Sequence, residues 1–374
     1  MKTRMTRAQL AEANGAIRNL IAKDGLSPFS RIRLDVAGAN VSLTGSNGDV
    51  QIEYRLNGET SENGTLALPG NLLGRFVDAM PAGIVEIHGE AGKKAKISGD
   101  AGITFRLAAA DVLDYPVMAG PKPGCGSIDL EAALLKEMLR KVRFAADVDG
   151  SGRPHLCGVN VKLAGEKLEM TATDGRRLAH VERDLGAGGE KGPEFDIILA
   201  NKAVNLLFGL LADGEYIAIH ADSSAVRFTA DKWIITTRVV DGKYPEWHRV
   251  VPKETEHTAK IDRESFLVAL GRVALATGDD NAVKVTVKDG LAKFEARNDL
   301  AQASAEVTLC QIADGAKATF LFNYKLLKDA LEAIDDDEFT LAFQGEGSGA
   351  VVLKCSIPWT AVIMPMRVEN KKEA

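Results

Sequence analysis

The amino-acid sequence predicts an α+β chain of three similar domains, each made of two helix-plus-strands units. Three observations carry that prediction. Apolar residues at the i, i+3, i+4, i+7 spacing of a buried helix face recur six times, short alternating runs follow each recurrence, and a coarser period divides the chain into thirds.

The helical matches are Ala13-Ala16-Ile17-Leu20, Leu73-Phe76-Val77-Met80, Leu135-Met138-Leu139-Val142, Val204-Leu207-Phe208-Leu211, Phe266-Ala269-Leu270-Val273 and Leu327-Ala330-Leu331-Ile334. Their first residues are spaced by roughly 62 positions, about one sixth of the chain. They predict helices within 7–23, 70–80, 129–143, 201–211, 262–273 and 324–334. Between them, runs such as Ile32-Arg33-Leu34-Asp35-Val36, Val159-Asn160-Val161-Lys162-Leu163 and Val283-Lys284-Val285-Thr286-Val287 have the period of two of strands with one buried face. Tyr115-Pro116, Tyr244-Pro245 and Met364-Pro365 each close a strand-rich block. Joins rich in proline, glycine or charge lie at Pro121-Lys122-Pro123-Gly124 and Pro252-Lys253-Glu254. The predicted domains are therefore 1–122, 123–252 and 253–374.

Composition excludes several classes. With 374 residues, 26% charged and 6% aromatic, the chain is neither disordered, collagenous nor a coiled coil. It has no apolar run of about 18 residues, so no membrane span is predicted. The basic stretch Met1 to Arg7 leads into the polar Ala8 to Gly15 rather than the apolar core of a signal peptide, which points to the cytoplasm. Cys125, Cys157, Cys310 and Cys355 form no Cys-x-x-Cys pair, and the six histidines do not cluster. No metalloprotease, nucleophile-elbow or phosphate-loop motif occurs, so no catalytic residue, metal or cofactor is predicted. One enzyme alternative is a nucleic-acid-processing site in which Asp174 and Asp241 hold a divalent metal. Each precedes a glycine, however, where aspartate is favoured for bonding its own backbone in a turn.

The net charge of −6 is unevenly spread, because the six helical windows sum to +4 and everything else to −10. In the third helix Lys136, Arg140 and Arg143 fall at i, i+4, i+7. That stripe suits phosphate contacts that do not read sequence, and it equally suits a solvated helix face.

Three segments resemble one family. Ala172-Thr173-Asp174-Gly175-Arg176-Arg177-Leu178-Ala179, Val239-Val240-Asp241-Gly242-Lys243-Tyr244-Pro245-Glu246-Trp247 and Val362-Ile363-Met364-Pro365-Met366-Arg367 are similar, in order and over the whole length, to signatures of the bacterial DNA polymerase III beta subunit, the sliding clamp. The resemblance implies a head-to-tail homodimeric ring, with helices lining a channel around duplex DNA and antiparallel sheets outside. It also implies a processivity factor with no active site. The implied partners are double-stranded DNA, the DNA polymerase III alpha subunit, the clamp loader, and other polymerases and repair proteins that dock short linear motifs.

The same resemblance maps a hydrophobic peptide cleft onto Leu156, Thr173, Gly175, Arg177, Leu178, Pro245, Arg249, Val250, Val362, Met364, Pro365 and Met366. Methionine repacks around varied apolar groups, which suits a surface serving many partners. The implied DNA-facing residues are Lys23, Lys136, Arg140, Arg143, Lys202 and Lys325. The implied dimer contact joins Phe105 and Leu107, on the 103–107 edge, to a third-domain surface near Leu275 and the Ala303 to Val307 strand. Two features depart from the family pattern. A charged tail, Glu369 to Ala374, runs on past Val368 and is expected beside the cleft, and the first domain carries Thr44-Gly45-Ser46-Asn47-Gly48-Asp49 and a helix containing Asn14-Gly15. These departures leave a divergent accessory clamp with other partners as the alternative function.

Overall fold

The computed structural model describes residues 1–24, 27–113, 115–125, 127–148, 150, 152–186, 194–252, 254–312, 317–345, 347 and 349–367. These residues form six α-helices: α1 (Arg7–Ile17), α2 (Gly70–Ala79), α3 (Ala132–Val142), α4 (Asn201–Leu210), α5 (Arg263–Ala274) and α6 (Tyr324–Glu332). No helix among them is long and apolar enough to cross a membrane.

Helix starts follow local chemistry. The Thr6 hydroxyl accepts from the Gln9 amide while the Gln9 side chain accepts from the Thr6 N–H, a reciprocal capping box at α1. Asp262 caps α5 by accepting from Ser265 N, and Asn323 caps α6 by accepting from Lys325 N. Helix α1 is shorter than its predicted window. It closes where Arg18 N donates to Asn14 O, and the chain then turns so that Ile21 is still buried although it is no longer helical.

The chain divides into two compact units, Met1–Leu135 with Asn205–Val239, and Lys136–Val204 with Val240–Ala374. The first holds a five-stranded antiparallel sheet in the order Glu59–Glu62, Lys2–Thr6, Ile84–His88, Lys94–Ser98, Thr104–Ala108. Its eight-stranded sheet runs Ser127–Glu131, Tyr216–Ala221, Ala225–Thr229, Trp233–Arg238, Val50–Asn57, Asn40–Ser46, Arg31–Ala37, Gly64–Pro69. Strands from distant parts of the sequence meet at its middle, where Trp233 pairs with Tyr54 and Thr237 with Val50. The unusual Thr44-Gly45-Ser46 segment has a packing reason: a Cβ on Gly45 would lie 2.1 Å from Ile17 Cγ2, so only glycine lets α1 sit this close. A Cβ on Gly74 would likewise come 2.7 Å from the Asn14 amide nitrogen, and Asn14 is buried.

The second unit holds a nine-stranded antiparallel sheet, in the order Phe195–Ala200, Gly158–Ala164, Lys167–Thr173, Arg177–Asp184, Trp359–Ile363, Val351–Lys354, Glu338–Phe343, His257–Asp262, Gln311–Ile312. A four-stranded sheet runs Gln302–Thr308, Leu291–Arg297, Ala282–Lys288, Ala318–Asn323. Its central hairpin turns on Asp289 and Gly290, at φ of 50° and 77°, the doubly left-handed turn that Asp-Gly favours. Phe266 of α5 packs edge-on to Phe294 and Phe339, with centroids 4.7 and 5.4 Å away. Burial of each such ring contributes about 1.5–3 kcal/mol.

Candidate functional site

The nine-stranded sheet positions several of the residues expected to line a cleft. The 177–184 strand runs antiparallel to 359–363 with Arg177 opposite Ile363, Leu178 opposite Val362 and His180 opposite Thr360. Met364 N donates to Arg176 O at 2.9 Å, extending the ladder by one pair. Because side chains alternate faces, Arg176, Leu178 and His180 share one face with Met364, Val362 and Thr360. Leu178 and Val362 are buried, whereas Met364 is 41% exposed and Arg176 is exposed. The strip is thus covered in its middle and open at one end.

The turn before this strand is tightly built. Asp174 Oδ1 accepts from the N–H groups of Arg176 and Arg177, and Thr173 Oγ1 donates to Arg177 O and accepts from Gly175 N. Gly175 has φ of 86°, and a Cβ there would lie 2.9 Å from Arg153 Nη1. Arg153 Nη2 donates to Asp174 O at 3.2 Å. Asp174 is therefore fully engaged in shaping the turn, while Asp241 is exposed on a separate segment.

Arg177, expected as a cleft wall, is half-buried. It lies on the face opposite Leu178, where Nε meets Asp174 Oδ2 at 3.1 Å, Nη1 meets Asp329 Oδ2 at 2.6 Å, and the guanidinium lies 5.5 Å from the Phe144 ring centre. Its job is to tie the turn to α6. Arg176, which the motif did not single out, shares the face of Leu178 and is exposed.

The 240–250 segment packs against the same sheet. Tyr244 is buried in a cluster with Leu156 and Ile198, with Val240 packed against it. Its hydroxyl lies beside the Thr173 backbone, and burial pushes the phenol above its ordinary pKa. Three residues on, Trp247 stacks on His180 with ring centroids 3.8 Å apart, and His248 stacks on Trp247 at 3.6 Å. His180 is held by Thr171 Oγ1 at 2.9 Å from Nδ1. Burial pulls its pKa down to about 4 against the opposing pull of Glu169 and Glu182, so it is neutral at pH 7. Pro245 is exposed, as are Val250 and Arg249, which pairs with Glu246 at 2.7 Å. Pro365 and Met366 are half-buried, and Met366 N donates to Leu321 O. The tail after Val368 lies outside the described residues.

Family models for the DNA polymerase III beta subunit match along the chain: its N-terminal domain over residues 1–119, its central domain over 129–246 and its C-terminal domain over 248–367. The chain belongs to the DNA polymerase III beta subunit family. The beta sliding clamp of Staphylococcus aureus is 27% identical over 371 residues, covering 96% of this chain and 97% of the relative, and that of Staphylococcus epidermidis is 26% identical over 369. In fold, the DNA polymerase sliding clamp from Bacillus subtilis superposes with a TM-score of 0.90 at 24% identity, covering 98% of this chain and 99% of that one. The DNA polymerase III subunit beta from Pseudomonas aeruginosa gives 0.89 at 24%, covering 98% and 100%. The three-domain α+β sliding-clamp fold is thereby shown. As a beta subunit the chain is a non-catalytic processivity factor of the polymerase holoenzyme, and the nuclease alternative falls.

The remaining residues of interest in this beta subunit are placed as follows. Lys23, Lys202 and Lys325 are exposed; Lys136 and Arg143 are half-buried. Arg140 is committed to an ion pair with Asp335. Lys141, beside it, is 1% exposed and was not singled out from the sequence. Its ammonium donates to Ala333 O at 2.6 Å and pairs with Asp335 at 2.9 Å. Phe105 stacks on Phe76 at 4.1 Å in the edge strand of the five-stranded sheet. Leu107, expected at the dimer contact, is 2% exposed, its side chain in the core of its own unit. Leu275, just past α5, is 86% exposed. The Gln302–Thr308 strand is also a sheet edge.

Proposed function

We propose that two copies of this beta subunit close head to tail into a ring around duplex DNA, in the cytoplasm, with the helices of domains 1–122, 123–252 and 253–374 lining the channel. Enclosure, rather than affinity, then retains the DNA, so exposed Lys23, Lys202 and Lys325 with Lys136 and Arg143 need only weak, sequence-independent phosphate contacts. The two edge strands, 104–108 and 302–308, support the closure, because unpaired strand edges invite pairing with another chain. Exposed Leu275 supplies the apolar contact. Leu275→Asp is expected to shift the protein from dimer to monomer in sedimentation at micromolar concentration. A dimer that persists unchanged would remove Leu275 from the interface.

The cleft then tethers the polymerase alpha subunit, the clamp loader and repair proteins by short peptides. The observation that carries this reading is the open apolar end of the 176–180 and 360–364 strip, where Met364 stands exposed beside buried Leu178 and Val362. Fluorescence polarisation with a labelled peptide of the glutamine-plus-hydrophobic type is expected to show saturable micromolar binding, weakened several-fold by Met366→Ala. Absence of binding to the wild-type protein would sink the cleft reading.

A further inference from the structure

We infer that the first unit carries a docking groove of its own, between the 46–49 turn and the 115–120 segment, which takes a short peptide by resting an apolar side chain on Phe29 and Val117 and pairing a carboxylate with Arg238. The inference goes beyond the cleft reading, and its test separates the two.

The groove repeats the build of the 174–177 turn with different side chains. Asn47 Oδ1 accepts from the N–H groups of Asp49 and Val50, and Ser46 Oγ accepts from Gly48 N, as Asp174 and Thr173 do in the second unit. Gly48 has φ of 95°, beside 86° at Gly175. Arg238 N donates to Asp49 O at 2.9 Å, just as Met364 N donates to Arg176 O. Register therefore puts Arg238 at the position of the exposed Met364, and Asp49 at that of Arg176. Tyr115 stands for Tyr244, its buried hydroxyl donating to Thr44 O at 2.8 Å. Met118 N donates to the Gln51 side chain at 3.0 Å, so the 115–118 segment is fixed before any ligand arrives.

The space enclosed is about 540 Å³, bordered by Phe29, Gly48, Pro116, Val117, Met118 and Arg238 among others. Val117 is 61% exposed, and half-buried Phe29 lies 3.3 Å from where a Gly48 Cβ would stand. That floor suits one apolar side chain. Charge settles the rest of the occupant. Arg238 is exposed, and its guanidinium makes no ion pair or hydrogen bond among the described residues. Arg227 shares its face on the paired strand, and its Nε is buried without a partner among them. Its guanidinium lies so close under the 115–120 segment that a Cβ on Gly120 would come 2.1 Å from Nη2. Asp222 is spent on the N–H groups of Lys122, Ser224 and Ala225, which hold its carboxyl well below the ordinary range. Exposed Asp49 thus sets one negative charge against two guanidiniums. That balance suits a single carboxylate, which a guanidinium fork matches, whereas a phosphate backbone would bring repeated charge up to Asp49.

The test uses full-length protein labelled with ¹³C at its methionine methyls, where Met118 reports on this groove and Met364 and Met366 on the cleft. Two hexapeptides carrying Leu-Phe, one followed by aspartate and one by asparagine, are titrated into wild type, Arg238→Ala and Val117→Asp. In wild type the aspartate peptide is expected to shift the Met118 signal saturably and to bind about fivefold more tightly than its asparagine twin at low salt, a difference that added salt erodes. Arg238→Ala should bring the two peptides level. Val117→Asp should abolish the Met118 shift, with the methionine signals of the second unit unchanged to show the fold intact. A Met118 signal unmoved by either peptide, or moved equally by both in wild type, would overturn the inference. A tighter response to an oligothymidylate would also overturn it, by assigning the groove to nucleic acid. Shifts confined to Met364 and Met366 would uphold the cleft and remove this groove, and shifts confined to Met118 would do the reverse.

Discussion

Replacing Lys141 with alanine is expected to cost the unit that contains it about 3 kcal/mol of unfolding free energy, seen as a fall in the urea midpoint. The ammonium is almost wholly buried, donates to Ala333 O, pairs with Asp335 and lies 5.8 Å from the centre of the Trp359 ring. The Lys141 carbonyl in turn accepts from Trp359 Nε1 at 2.9 Å. Truncation removes the buried stem and leaves the Ala333 carbonyl with only the 3.5 Å bond from Arg140, whereas Lys141→Met keeps the stem and should cost less. The effect is pH-dependent with a definite sign. Burial raises the pKa of Asp335, but the hydrogen bonds from Lys141 and Arg140 outweigh it and hold the carboxyl below its ordinary 3.8. A carboxyl depressed in the folded state stabilises fully above its unfolded value and loses that contribution as pH falls through the folded one. The gap between wild type and Lys141→Ala should therefore be full at pH 5 and above and narrow below about pH 4.

Trp247→Ala is expected to weaken peptide binding by at least tenfold in the same polarisation assay, with Trp247→Phe keeping most of the affinity. The 240–250 wall is held at two points, the buried Tyr244 and the Trp247 ring on His180. Without the second, the 245–250 segment loses one of its two anchors, and ordering it falls to the peptide. Solvent would also reach His180. In the wild type its pKa of about 4 lies below the ordinary 6.5, so the folded state resists a proton that the unfolded chain accepts. Wild-type stability should thus decline as pH drops from about 6.5 towards 4, and Trp247→Ala should show less of that decline. An NMR titration in which His180 keeps a pKa near 4 in the variant would show that Trp247 does not cover it.

All six helices were legible because a buried helix face leaves a 3.6-residue signature, as in Leu327-Ala330-Leu331, each fully buried. The pairing of 233–238 with 50–57, and of 177–184 with 359–363, was not. Strand pairing depends on which edges meet after the chain folds, and alternation alone does not name a partner. The segments 172–179, 239–247 and 362–367 were recognisable from their motifs, yet the motif alone does not say that Arg176 shares a face with Leu178 while Arg177 lies on the other. Alternation with Leu178 would have separated them. Lys141 was the harder case. A lysine among Arg140 and Arg143 reads as part of a solvated stripe, and only the distant Ala333 carbonyl, Asp335 and Trp359 explain its burial.

The ladder between 177–181 and 359–363 has one more implication, for continuity of the polypeptide. The segments it joins are linked along the chain through Pro252 to Glu254, but they are held to each other by backbone hydrogen bonds inside one nine-stranded sheet. Covalent connection at that join is therefore expected to be dispensable for cohesion. Two polypeptides made from a gene split there would be expected to reassociate as fragments into one sheet, and to regenerate the Arg176 and Met364 pair from separate chains.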